Sequence, residues 1–266
     1  MSNVNIRRAV ENIKSGINIY TPLVEVIVNA IQAIDDKAID NGRVTVTVNR
    51  SGQMSLESTV LPEIVGFKVV DNGIGFTEKH RTSFDTLYSA QKIDIGGKGF
   101  GRFTVLKYYE DLVISSNFID GDTKLNRSFK MGKKNDIIVN EVITPKEFDY
   151  TGTLVELRSI KRSKFTDKKL TTIARTLFEK LLAYFCSNEY TCPEVLLIDG
   201  HDGRKIILND FLKKEGKNSI IELPKFNQEF VLKDNIAEQH HFQARVFKFY
   251  SPKQQKAKLI LSHISV

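Results

Sequence analysis

Glu25 and Asn29 stand four residues apart in the run Glu25-Val26-Ile27-Val28-Asn29-Ala30. On a helix that spacing puts a carboxylate and an amide on one face. Such a pair can act as a proton-accepting base beside an amide oxygen that holds a divalent cation. It can equally be the solvated stripe of an amphipathic helix. Asp71-Asn72-Gly73-Ile74-Gly75 places a carboxylate where it can accept a hydrogen bond from an exocyclic amine, then two glycines that let backbone approach a ligand. Asp-Asn-Gly is also a common turn. Gly96-Gly97-Lys98-Gly99-Phe100-Gly101-Arg102 opens a helix, where free N–H groups and the helix dipole both favour an anion. A plain flexible loop is the other reading. The spacing is neither that of a Walker loop nor that of the dinucleotide fingerprint. Thr151-Gly152-Thr153 starts a strand and says little alone.

The elements that must position these groups can be read from periodicity. A short helix is expected around residues 6–13. Pro22 opens a stronger one, with Leu23, Val24, Ile27, Val28, Ile31 and Ile34 at helical spacing and Asn41-Gly42 as its stop. Val44, Val46 and Val48 alternate with polar residues as in a half-buried strand. Residues 64–70 form a second strand ending at Asp71. Residues 76–101 read as a long Gly-, Ser- and Lys-rich connection, and 101–109 as a helix. Strands are expected over 112–118 and 153–157, with a hairpin-like region between them. Thr166 can cap an amphipathic helix carrying Leu170, Ile173, Leu177, Leu181 and Phe185. Strand-like runs follow at 194–198, 205–208, 242–249 and 258–264.

Composition narrows the class. Of 266 residues 41% are hydrophobic, enough for a sizeable core. No apolar run approaches the ~20 residues of a membrane helix, and residues 1–8 lack a signal-peptide core. Two cysteines, Cys186 and Cys192, make neither a disulfide framework nor a closed zinc site. A cytoplasmic location is the expectation. The net charge of +7 is compatible with a nucleic-acid partner without establishing one.

Taken in order, Glu25-x-x-x-Asn29-Ala30, Asp71-x-Gly73-x-Gly75, Gly96-x-x-Gly99-x-Gly101 and Gly152-Thr153 resemble the N, G1, G2 and G3 boxes of the GHKL ATPases. These are the ATP-binding domains of DNA gyrase, heat-shock chaperone, histidine kinase and MutL. The match covers roughly residues 20–160 and is closer to the chaperone-, MutL- and MORC-like members than to histidine kinases. It departs where Gln32 replaces the usual acidic residue. The resemblance implies ATP and Mg²⁺ as ligands. Glu25 would polarise the attacking water, and Asn29 would hold Mg²⁺ against the phosphates. Asp71 would take the adenine amine, helped by Thr153 through water, with Gly73 and Gly75 making room beside the base. Gly96, Gly97, Lys98, Gly99, Phe100, Gly101 and Arg102 would wrap the phosphates as part of a mobile lid, with Lys92 reaching a phosphate.

The expected fold is therefore α/β: a two-layer sandwich of the Bergerat type, its mixed, mostly antiparallel sheet covered by helices on one face. The ATP domain is expected over residues 1–193 and a strand-rich, transducer-like beginning over 194–266, the N-terminal part of a longer protein. ATP-dependent homodimerisation would go with it. A nucleotide-sensing or nucleic-acid-binding module with little turnover is the alternative. A histidine kinase is disfavoured because the first histidine is His80, inside the connection.

Overall fold

The computed structural model describes residues 6–11, 18–52, 61–85, 101–161, 165, 167–186, 190–212, 220–233, 239–249 and 256–264. The chain forms two compact units, Met1–Glu179 with Pro193–Ile206, and Lys180–Cys192 with Ile207–Val266.

The first unit begins with α1 (Ile6–Glu11), α2 (Thr21–Lys37), β1 (Arg43–Arg50) and β2 (Ile64–Asp71). It continues through α3 (Glu78–Asp85), α4 (Gly101–Tyr108), β3 (Tyr109–Asp120), β4 (Thr123–Met131), β5 (Ile138–Pro145), β6 (Gly152–Ile160) and α5 (Leu170–Lys180). After α6 (Leu182–Cys186), in the second unit, come β7 (Glu194–Asp199) and β8 (Lys205–Ile207). The strands form one eight-stranded sheet in the order β5-β4-β3-β6-β2-β1-β7-β8. β1 and β7 run parallel, while the pairings from β1 across to β5 are antiparallel. This is the mixed, mostly antiparallel α/β arrangement expected.

Alternation decides which face is covered. Val44, Val46, Val48, Phe67, Val69, Leu157, Leu112, Ile114, Val195 and Leu197 are buried, and their neighbours along each strand are mostly half-exposed. On the covered side α2 packs against β1, β2 and β6, and α4 packs against β3 and α2. α2 buries Leu23, Val26, Ile27, Ala30, Ile31 and Ile34. Each large aliphatic side chain removed from water contributes about 1.5–3 kcal/mol.

Four local readings change. α2 stops at Ala38, in the left-handed conformation (φ 53°), before the expected Asn41-Gly42 stop. The connection after β2 contains the helix α3. The helix expected to run on to Phe185 divides after Lys180, and Thr166 lies outside the described residues. Near its start Asp167 accepts from the Lys169 N–H (2.9 Å) and the Thr172 hydroxyl (2.7 Å). Residues 194–199, read as opening a separate segment, instead join the first sheet as β7. Beside the parallel ladder to β1 and the buried Val195 and Leu197, a buried ion pair ties it there: Arg50 Nη2 lies 2.7 Å from Asp199 Oδ2, with the side chains 1% and 0% exposed.

In the second unit, β9 (Ile220–Glu222), β10 (Gln228–Lys233), β11 (Gln239–Phe249) and β12 (Lys256–Ile264) form a sheet centred on β11, all pairs antiparallel. Arg245 donates to both carboxylate oxygens of Glu222 at 2.8 and 2.6 Å. Cys186 and Cys192 are free thiols, and burial pushes the Cys186 thiol up to about 12.

Candidate functional site

α2 carries the site on the face opposite its core. Pro22 fits the first turn because its missing N–H has no helical partner there. Leu23, Ile27, Ile31 and Ile34 then fix the rotation of the helix, leaving Glu25 and Asn29 exposed one turn apart. One further turn along the same face, the Ala33 carbonyl accepts from the Ile74 N–H at 2.9 Å. The loop after β2 is thus docked on the face that bears Glu25 and Asn29.

That loop needs its glycines for close approach to protein. A Cβ on Gly73 would sit 2.6 Å from the Ala33 carbonyl group. Gly75 has φ +85°, and a Cβ there would lie 2.2 Å from the Asn117 carbonyl oxygen. Asn72 is clamped on every polar atom of its side chain. Its Oδ1 accepts from the Arg43 N–H (2.8 Å), and its Nδ2 donates to the Asn41 carbonyl (3.0 Å). The Lys37 ammonium donates to the Asn72 carbonyl at 2.8 Å.

Asp71 lies at the centre, 4% exposed. Its Oδ1 accepts from the Gly73 N–H (2.9 Å) and the Thr153 N–H (3.2 Å). Among the described residues nothing donates to Oδ2. Burial pushes the carboxyl up from 3.8 to about 6, against the two backbone hydrogen bonds and the charge of Lys37, which pull it down. Asp71 is still ionised at neutral pH, with one oxygen held and the other able to accept.

The G3 segment closes around this carboxylate. Thr151 donates its hydroxyl to the Gly73 carbonyl at 2.7 Å. Gly152 passes so close that a Cβ would meet the Asp71 carbonyl at 2.2 Å. Thr153 is held by Ser116, whose Oγ lies 3.0 Å from Thr153 Oγ1, accepts from the Phe76 N–H (2.7 Å) and donates to the Gly152 carbonyl (3.0 Å). One donor and two acceptor positions are all a hydroxyl has, so the Ser116 group is fully used.

Sequence reasoning missed Ser116 and Arg127, and both had a signal. Each is a polar residue in the inward phase of its strand, where Leu112, Ile114 and Phe118, or Phe129 and Met131, are buried. Arg127 is 2% exposed and lies over the Phe118 ring at 4.9 Å. It donates to the Phe76 and Thr77 carbonyls (3.0 and 3.1 Å) and to Glu78, fixing the chain as it leaves the glycine loop.

The structure brings Asp71, Gly73, Gly75 and Thr153 together and docks them on the Glu25–Asn29 helix. Lys92, Gly96, Gly97, Lys98, Gly99 and Phe100 lie outside the described residues. Gly101 starts α4. Arg102 donates to the Ser83 and Phe84 carbonyls at the end of α3, and burial lowers the pKa of its guanidinium. Among the described residues no group of three His, Cys, Asp or Glu could hold a metal ion. A Mg²⁺ that arrives on phosphates and keeps several waters does not need such a group, and the Asn29 amide oxygen is a suitable donor for it. No described helix is long and apolar enough to cross a membrane.

Residues 18–134 match the family described as histidine kinase-, DNA gyrase B-, and HSP90-like ATPase. No curated protein matches the chain. Among solved structures, the 43K ATPase domain of Thermus thermophilus gyrase B, in complex with an aminocoumarin, is similar at 14% identity and TM-score 0.45, over 86% of this chain and 56% of that one. The ATPase and transducer domains of DNA topoisomerase II from Balamuthia mandrillaris are similar at 13% identity and TM-score 0.48, again over 86% and 56%. The chain therefore spans about half the length of each neighbour. Over residues 18–134 the chain is similar to the histidine kinase-, DNA gyrase B- and HSP90-like ATPases.

Proposed function

We propose that the protein binds ATP with Mg²⁺ and hydrolyses it slowly. The observation that carries this reading is Asp71: a buried carboxylate with Oδ1 tied to two backbone N–H groups and Oδ2 available to a donor. The 6-amino group of adenine is such a donor. Guanine presents a carbonyl at that position and would set two acceptors against each other. Gly73, Gly75 and Thr153 shape the rest of the base site.

The phosphates then run toward the Glu25–Asn29 face of α2. Asn29 offers its amide oxygen to Mg²⁺, which neutralises phosphate charge when bound. Glu25 accepts a proton from water as the water oxygen bonds to the γ-phosphorus. The bond from that phosphorus to the β–γ bridging oxygen breaks, leaving ADP and inorganic phosphate. Lys92 and residues 96–102 enclose the phosphates in this reading. Hydrolysis drives a nucleotide-gated conformational change or dimerisation, with the strand-rich unit as a transducer-like element.

Calorimetry with MgATP and MgGTP, paired with turnover of Glu25→Ala, tests the proposal. ATP should bind far more tightly than GTP. Glu25→Ala should retain ATP binding and lose about 10²–10⁴-fold in hydrolysis. Equal affinity for the two nucleotides would overturn the base site, and unchanged turnover would overturn the role of Glu25.

A further inference from the structure

We propose that Lys37 is a positioning residue for nucleotide binding: its ammonium fixes the Asn72–Gly73 peptide, whose N–H donates to Asp71 Oδ1. The inference rests on the reading of Asp71 as the nucleobase carboxylate. Its geometric basis is the hydrogen bond from Lys37 Nζ to the Asn72 carbonyl at 2.8 Å, between the last turn of α2 and the loop. With the Asn72 side chain held by the Arg43 N–H and the Asn41 carbonyl, the Asn72–Gly73 peptide is fixed from both sides. Lys37 thus acts on the carboxylate through the peptide that donates to it.

The charge matters as well as the hydrogen bond. A buried carboxylate is driven toward its neutral form, and a nearby cation opposes this. The groups facing Asp71 can be named element by element. β6 presents the uncharged Thr153 N–H, and the Thr153 hydroxyl is bonded to Ser116. β1 presents Val44, the register partner of Asp71. The loop presents the Gly73 N–H. α2 presents Lys37, whose positive charge acts on the carboxyl. Neighbouring charges are engaged elsewhere: Arg43 pairs with Glu194 at 2.9 Å, and Asp36 with His80 at 3.0 Å.

Protonated, Asp71 would present a hydroxyl where an amine must donate. Lys37 therefore sets the lower pH limit of nucleotide binding while touching no nucleotide. A lysine with only a packing role would leave that limit in place.

The test is a carbon-13 carboxyl titration of Asp71 by NMR in the full chain without nucleotide, the resonance assigned by its loss in Asp71→Asn. Lys37→Met should raise the midpoint by about half a pH unit or more, and Lys37→Arg should restore the native midpoint. Lys37→Gln keeps a donor but no charge, and should shift as Lys37→Met does; it also serves if Lys37→Met does not fold. MgATP affinity, by calorimetry from pH 5.5 to 8, should weaken on the acid side with the same displacement. An unmoved midpoint in the uncharged variants overturns the role of Lys37 and leaves the ATP site standing. A midpoint that moves while ATP affinity ignores it overturns the nucleobase reading of Asp71, and this inference with it.

Discussion

Two buried aspartates sit at opposite ends of β1, on the strands that flank it. Asp71 ends β2 opposite Val44, and Asp199 ends β7 opposite Val48. Asp199 meets a guanidinium. Its Oδ1 accepts from Arg50 Nε (2.8 Å) and the His201 N–H (3.1 Å), and its Oδ2 accepts from Arg50 Nη2 (2.7 Å). Burial pushes this carboxyl up, but Arg50, His201 and Arg204 outweigh it and hold the group below the usual carboxylate range. Asp71 has two backbone N–H groups on one oxygen and only a lysine for charge, and burial wins. Burial therefore does not mark function. What sets Asp71 apart is an oxygen with no donor among the described residues, an acceptor left for a group from outside.

The largest effect should come from the completed pair. Asp199→Ala leaves the Arg50 guanidinium buried without its counter-charge, which should cost about 3–5 kcal/mol in urea unfolding. A loss below about 1 kcal/mol would mean that water reaches Arg50 and that β7 is held by its backbone ladder alone.

Asp71→Asn should act in the opposite sense. Oδ1 can still accept from Gly73 and Thr153, while the ionised form, which burial opposes, is gone. A folded-state value raised from 3.8 to about 6 disfavours the native carboxylate by roughly 3 kcal/mol, at about 1.36 kcal/mol per unit. The native protein has this contribution in full below the unfolded value near 3.8 and loses it as pH rises through about 6. The asparagine protein loses nothing over that range. It should gain on the native protein by about 2 kcal/mol between pH 4.5 and 7.5, since the cost of a buried amide is the same at both ends. Its ATP affinity should fall. A stability difference constant across pH would place Asp71 in contact with bulk water.

The contrast between these aspartates shows what was legible in the sequence. The Glu25–Asn29 spacing, the strand before Asp71 and the glycines were readable because they depend on neighbours in the chain. Asp71 joins Thr153 across 82 positions through backbone donors, and no side-chain pattern announces that. The Arg50–Asp199 pair spans 149 positions, so residues 194–199 looked like the start of something new rather than the sheet's parallel strand. α3 was missed because Glu78–Asp85 buries no residue and carries no apolar stripe. Arg127, His80 and Arg102 hold it by polar contacts to its ends and to Asp36.

Ser116 sharpens the comparison at smaller scale, since a hydroxyl supports Asp71 where a guanidinium supports Asp199. Ser116→Ala removes the acceptor of the half-buried Phe76 N–H and the partner of the Thr153 hydroxyl. The loss should be about 1 kcal/mol by urea unfolding. ATP affinity should weaken with it, since Thr153 is then free to move away from Asp71 Oδ1. Lost stability with intact affinity would show that Thr153 holds its place without Ser116.

The smallest effect belongs to Arg43, which isolates the value of exposed charge beside the same loop. Its guanidinium reaches Glu194 at 2.9 Å, yet the two side chains are 61% and 37% exposed. Solvent screens such a pair and the long side chain loses freedom on forming it, so its net contribution is about 0–1 kcal/mol. The contact between this residue and the loop is its backbone N–H to Asn72 Oδ1, which no side-chain substitution removes. Arg43→Ala should therefore cost less than about 1 kcal/mol, with the difference shrinking as salt rises. The Asp71 titration midpoint should stay where it is, in contrast to Lys37→Met. Urea unfolding in low and high salt, beside the carboxyl titration, reads both. A midpoint displaced as far by Arg43→Ala as by Lys37→Met would mean that Asp71 senses the general charge of this edge, not a cation placed at its own loop.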